Sequence, residues 1–168
     1  MSKILIAYFS RNGNNYVSGN IKNLSKGNTE VVAEMIKEFT GGDLFKIDPL
    51  IEYDKDYYKC IEEAKVDLKN NSRPKLKSYL EDIDDYDIVY LGYPNYWGTM
   101  PMAVCTFLEK YDFTGKIIKP FCTHEGSGMG SSEKDIKKII PDSVIKKGLA
   151  IHGAKVNESK NIVHKWID

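Results

Sequence analysis

Cysteine is scarce in this chain: three thiols in 168 residues, Cys60, Cys105 and Cys122, with no Cys-x-x-Cys pair. That spacing excludes a zinc ribbon, an iron–sulfur cluster and a redox dithiol, and it fits buried thiols in a reducing compartment. No run of about 18 apolar residues exists, so no membrane insertion is expected. The apolar run Ile4–Phe9 is too short for a signal peptide and has no cleavage pattern, so cytoplasmic residence is the expectation. An excess of charge of either sign is also lacking: 24 basic residues balance 24 acidic ones. Residues 1–115 hold a small acidic excess and residues 116–168 an equal basic one, borne mostly on helix faces. No basic patch interleaves with aromatics, which argues against a nucleic-acid partner. The acidic stretch Glu81-Asp82-Ile83-Asp84-Asp85 reads as a solvated lead-in to a strand. Internal repeats and low-complexity segments are absent.

What is present is an ordinary globular composition, 42% hydrophobic and 29% charged. The length predicts one domain, residues 1–168, with a core large enough to fold alone. Ile4–Phe9 is continuously apolar, as in a central parallel strand buried on both faces. Residues 11–28 read as a long loop punctuated by Gly and Asn. Val31, Val32, Met35, Ile36 and Phe39 recur at helical spacing behind Asn28, a good N-cap, and Gly41-Gly42 stops that helix. Asp43–Ile47 is a second strand. Asp54 is placed to cap a helix with Tyr57, Cys60, Ile61, Ala64 and Leu68 on one face. Asp87–Gly92 is a third strand, Lys116–Cys122 a fourth and Val144–Ile151 a fifth. Pro101 is placed as the first residue of a further helix, Ser131 or Ser132 as the cap of another, and a short helix closes the chain around Ser159–Trp166. Five strands alternating with helices describe an open parallel α/β sheet with right-handed crossovers.

Ligands in such sheets bind beyond the carboxyl ends of the strands. Three polar, glycine-rich segments follow three of these strands. Ser10 with Gly27-Asn28-Thr29 has the chemistry of a phosphate cradle: hydroxyl donors and a close backbone at a helix N-terminus. Asn12 sits in the same loop. Pro94-Asn95-Tyr96-Trp97-Gly98-Thr99 places two aromatics outside any periodic face, where they can flank a flat ring. Thr123-His124-Glu125-Gly126-Ser127-Gly128 can lie along a ring edge and offer backbone hydrogen bonds. Capping, loop packing and a plain mobile loop are the respective alternatives. Together the three suggest a mononucleotide site, and FMN fits best.

Other chemistries fail on single residues. Gly128 stands where a His-Glu-x-x-His zinc motif needs its second histidine, and Glu125 where a Gly-x-Ser-x-Gly elbow needs glycine. No dinucleotide Gly-x-Gly-x-x-Gly follows the first strand, and no Walker A motif exists. No metal site is expected.

Ile4–Ser10, Leu91–Pro101 and Pro120–Gly128 resemble the bacterial flavodoxin-like proteins, over nearly the whole chain. The resemblance implies a three-layer α/β/α sandwich with a five-stranded parallel sheet of order 2-1-3-4-5 and non-covalent FMN. It implies that Ser10 and Gly27-Asn28-Thr29 hold the phosphate, that Pro94–Thr99 flank the isoalloxazine, and that Thr123–Gly128 close its other edge. The chain departs from the family pattern at Asn14–Lys26, an insertion that interrupts the phosphate loop and can cover the cofactor. The implied function is electron transfer through FMN to a redox partner protein or small-molecule acceptor, by a monomer or weak homodimer. The balanced charge leaves room for an FMN-dependent NAD(P)H:quinone-type oxidoreductase. A flavin-free binding module on the same fold is the rival from another class.

Overall fold

A computed structural model describes residues 2–168. Strand β1 (Ile4–Tyr8) is an interior strand of a parallel sheet. After it the chain makes a two-stranded antiparallel hairpin, β2 (Gly13–Val17) and β3 (Asn20–Leu24), where a loop was expected over residues 11–28. Helix α1 (Asn28–Thr40), β4 (Asp43–Lys46), α2 (Tyr57–Lys69), β5 (Ile88–Pro94), α3 (Met102–Lys110), β6 (Ile117–His124) and α4 (Ser132–Ile139) follow. The chain ends with β7 (Val144–Ile145), β8 (Leu149–His152), a 3-10 helix (Gly153–Glu158) and α5 (Lys160–Ile167).

The parallel strands run in the order β4-β1-β5-β6, with β7 and β8 both pairing with β6. Without the hairpin this is the expected order 2-1-3-4-5. The expected fifth strand is broken in two, because the chain leaves the ladder after the Lys146 N–H bonds the Ile118 carbonyl, at Lys147 and Gly148. There the Gly148 N–H donates to Glu133 Oε2, and Trp166 Nε1 donates to the Lys147 carbonyl. These contacts replace ladder bonds that a continuous strand would have made.

Alternation along β1 separates two cores. Leu5, Ala7 and Phe9 pack with Val89, Leu91 and Tyr93 against α3 and α4, through Val104, Phe107, Leu108 and Ile136. Ile6 and Tyr8 pack with Tyr90 and Phe121 against α1 and α5, through Val32, Ile36 and Val163. Helices thus cover both faces, which is why the parallel strands are apolar almost throughout. Each fully buried aliphatic of this kind contributes roughly 1.5–3 kcal/mol relative to exposure. Such a frame holds the strand ends rigid, and the site is built on them.

Three helix starts differ from expectation. Gly27, not Asn28, is the N-cap of α1. Asp56, not Asp54, caps α2 by accepting from the Lys59 N–H, while the Asp54 side chain accepts from Asp56 N–H one turn earlier. Pro101 occupies the cap position before α3 rather than its first turn.

Candidate functional site at the strand ends

The first loop is cut open and rejoined. Ser10 Oγ accepts from the Glu30 N–H at 3.0 Å, so Ser10 caps α1 from across the loop. Gly27 returns the chain to the point it left. A Cβ at Gly27 would lie 2.2 Å from Ser10 Oγ and 2.4 Å from the Arg11 carbonyl oxygen. No side chain fits there, so Ser10-Arg11 and Gly27-Asn28-Thr29 form one continuous surface and the insertion is an excursion from it. Among the described residues the Asn28 and Thr29 N–H groups have no acceptor. They open at the positive end of α1, where an anion is stabilised.

The excursion folds back over the strand ends. Its turn is Ser18-Gly19, both with positive φ, a two-residue hairpin geometry. Arg11 pins its base: Nε donates to the Asn14 carbonyl, and Nη2 to the carbonyls of Asp54 and Lys55, each at 2.9 Å. Asn15 Nδ2 donates to the Arg11 carbonyl at 2.8 Å. Tyr16 stacks on Tyr57 with centroids 5.9 Å apart, and the Ser18 N–H donates to Glu125 Oε2 at 3.4 Å.

The second loop is a tight turn in which Tyr96 and Thr99 exchange backbone hydrogen bonds. Its central residues, Trp97 (φ 56) and Gly98 (φ 87), both occupy the left-handed region. Glycine adopts this freely. For a bulky residue it costs on the order of 1–3 kcal/mol and concentrates at functional sites. The Trp97 indole lies outward over α2, with Nε1 donating to the Ile61 carbonyl at 2.7 Å and Lys65 Nζ 5.1 Å from its ring centre.

The third loop is tied to the second. Asn95 Nδ2 donates to the Gly128 carbonyl at 2.9 Å, and Asn95 Oδ1 accepts from the Gly98 N–H at 2.8 Å. The Gly98 carbonyl accepts from the Ser131 N–H, and Thr99 Oγ1 donates to Asp135 Oδ2. The Thr29 and Thr123 hydroxyls, both buried, lie 2.8 Å apart and join the first loop to the third. His124 Nδ1 accepts from the Gly126 N–H at 2.8 Å, which puts the proton of the neutral ring on Nε2. Burial, then the neighbouring His152, lowers the His124 pKa below the usual imidazole value. Burial drives the Tyr96 phenol well above its ordinary value, so it stays protonated.

A cavity of about 140 Å³ lies among these loops, between hairpin and sheet. Of the residues singled out from sequence, Asn28, Thr29, Pro94, Asn95, Tyr96, Thr123, His124, Glu125 and Ser127 line it. Ser10 and Asn12 do not; both border a separate cleft across the Arg11 strut. Gly27 is the buried junction, Thr99 faces Asp135, and Trp97 faces α2. Gly98, Gly126 and Gly128 shape the turns from outside the lining, all three with positive φ. Arg11, Asn15, Tyr16, Tyr57 and Gly153 also line the cavity and were not expected there. The Ser18-Gly19 pair is the signal that would have revealed the hairpin bringing Asn15 and Tyr16 over the site. Among the described residues no group of His, Cys, Asp and Glu could hold a metal ion, and no helix is long and apolar enough to cross a membrane.

A helix N-terminus with open N–H groups lies at the point between β1 and β5 where the strand order reverses, the place where doubly wound α/β proteins bind their ligands. A family model described as flavodoxin matches residues 3–168, and the chain belongs to that flavodoxin family. Solved structures agree. A protein of Bacteroides uniformis classed as a flavoprotein is 30% identical, with a TM-score of 0.78, covering 99% of this chain and 97% of its own. One from Bacteroides eggerthii, classed likewise, is 31% identical with a TM-score of 0.75, covering 97% of this chain and 98% of its own. A Lactobacillus acidophilus flavoprotein solved in complex with FMN shares the fold at 21% identity and a TM-score of 0.66, covering 94% of this chain and 98% of its own. A search of curated protein sequences found no match. The fold is therefore flavodoxin-like, as the sequence motifs imply.

Proposed function

We propose that the cavity at the ends of β1, β5 and β6 binds FMN non-covalently and that the protein is an electron carrier. One observation bears most of this reading: the unpaired N–H groups of Asn28 and Thr29 open at the α1 N-terminus beside two loops rich in aromatic and glycine residues. Family membership and the FMN complex of the Lactobacillus acidophilus flavoprotein support it. The donor set fits the group, a phosphate needing hydrogen bonds and a positive field but no lysine.

In this reading Asn28 and Thr29 hold the phosphate, with Ser10 and Gly27 fixing the loop that presents them. Pro94–Thr99 flank the ring and Thr123–Gly128 close its edge. Asn95 keeps those two loops at a fixed separation. His124 presents the Nε2 proton into the site. The hairpin excludes water through Tyr16 and Asn15. FMN, when bound, supplies the electron chemistry, and the protein supplies position and polarity. The cavity is below the roughly 300–1,000 Å³ typical of small-molecule sites. Entry of FMN therefore requires the hairpin to swing outward, breaking the Tyr16–Tyr57 and Ser18–Glu125 contacts. The balance of 24 basic and 24 acidic residues favours a small-molecule acceptor over a strongly charged partner protein, because steering scales with net charge.

Titration of FMN into the purified protein tests this. Quenching of flavin fluorescence at a 1:1 ratio, with a displaced visible absorption band, is expected. Fluorescence that stays unquenched at micromolar protein would contradict the proposal.

A further inference from the structure

Across the Arg11 strut from the proposed flavin cavity lies a second, larger cleft of about 500 Å³, bounded by the hairpin, the end of β4 and the segment that precedes α2. Its lining carries three cations, Arg11, Lys46 and Lys55, against two carboxylates, Asp48 and Glu52. Lys46, half-buried, and Lys55 line it, and among the described residues neither ammonium has a carboxylate partner or a hydrogen-bond acceptor. The two acids of the cleft are already taken: Glu52 Oε1 is 2.6 Å from Lys77 Nζ, and Asp48 Oδ2 is 3.8 Å from it. Arg11 is satisfied by carbonyls alone, so its charge is not neutralised by a carboxylate. The side-chain amides of Asn12, just before the inserted segment, and of Asn14 and Asn23 within it point no donor at any acceptor among the described residues. Tyr53 and Tyr96 give the cleft an aromatic wall, their ring centres 6.5 Å apart.

Unpaired cations, idle amide donors and aromatic faces around one volume are what a small organic anion needs. We infer that this cleft is a second ligand site, selective for an anion of carboxylate, sulfonate or phosphate type that carries a planar ring. It shares only Arg11 and Tyr96 with the lining of the flavin cavity, so both can be filled at once. The inserted hairpin thus builds a site as well as covering one. The inference does not depend on the flavin reading.

The probe is anthraquinone-2-sulfonate, titrated by calorimetry into the protein with and without saturating FMN. Binding in both states is expected. The K46E/K55E double variant should weaken it by about tenfold or more, as loss and reversal of the pairing charges requires, while FMN affinity changes less than about twofold. Asn23→Trp, an exposed hairpin position, should fill the cleft and weaken the probe comparably, which keeps the test decisive if the double variant does not fold. Absence of probe binding, displacement of the probe by FMN, or unchanged affinity in a folded variant would overturn the inference. If FMN fails to bind, the titration of the flavin-free protein still decides the second site.

Discussion

The three site loops and the inserted hairpin occupy the same end of the sheet and are held in opposite ways. The loops hang on buried strands and are knitted to one another by Asn95, Thr29–Thr123 and the Gly98–Ser131 bond. The hairpin is solvent-exposed along β3, and beyond its Arg11 base it touches the site through one aromatic stack and one long hydrogen bond. The difference teaches how an insertion can enter a binding loop without destroying it. Its two ends meet at Arg11 and Gly27, so the loop closes as if the insertion were absent. On the proposed reading, stability and cofactor geometry reside in the loops, and access resides in the hairpin.

The sharpest way to break this division is at the junction. Gly27→Val places a Cβ 2.2 Å from Ser10 Oγ and 2.4 Å from the Arg11 carbonyl oxygen, far inside van der Waals contact. FMN affinity should fall by about 100-fold or more, roughly 3 kcal/mol, with a lower melting temperature by circular dichroism. Asn95→Ala comes next. It strands the Gly98 N–H and the Gly128 carbonyl, at a cost of about 1–3 kcal/mol in unfolding free energy, and denaturant titration reads this. Trp97→Ala should weaken FMN binding at the low end of about 1–3 kcal/mol, because the indole anchors its loop to Ile61. An unchanged dissociation constant would mean that neither anchor nor stack matters.

The smallest effect concerns protons. Burial lowers the His124 pKa below its ordinary 6.5 in the folded state. The unfolded chain therefore binds the proton first as pH falls, and the stability held above that value is lost below it. Thermal melts at pH 7.5 and 5.5 should differ by less in His124→Gln than in the natural sequence. The thiols obey the same logic of burial, with Cys122 pushed up to about 12 and Cys105 to about 11. A thiol reagent should modify none of the three until the protein unfolds.

Much of this arrangement is legible in the sequence, for physical reasons that differ by element. The apolar runs Ile4–Tyr8 and Ile88–Leu91 read as strands because burial on both faces leaves no polar alternation to confuse. Gly27 reads as part of a phosphate loop or of a plain helix cap, and the close approach to Ser10 and Arg11 that requires glycine there is visible only in the fold. The hairpin is poorly legible by composition, since Gly13-Asn14-Asn15 and Asn20 are poor strand formers held extended by cross-strand pairing, by Arg11 and by the Tyr16–Tyr57 stack, with Ser18-Gly19 the local signal. The break at Lys147 and Gly148 is set by Glu133 and Trp166, which are distant in sequence. Asn12 reads as a phosphate ligand by its Asn-Gly context, but the insertion carries it to the other side of Arg11. Trp97 reads as a ring-stacking residue because it breaks periodicity. Its positive φ turns the indole to α2, a conformation no local pattern announces.

The most direct measurement removes residues 13–26, leaving Asn12 as the bridge to Gly27, and follows FMN binding by stopped-flow fluorescence beside the uncut protein. Both chains should bind, with dissociation constants within about tenfold and faster association and dissociation in the shortened one. A shortened chain that folds but leaves FMN fluorescence unquenched would contradict the account, because the loops alone would then not make the site.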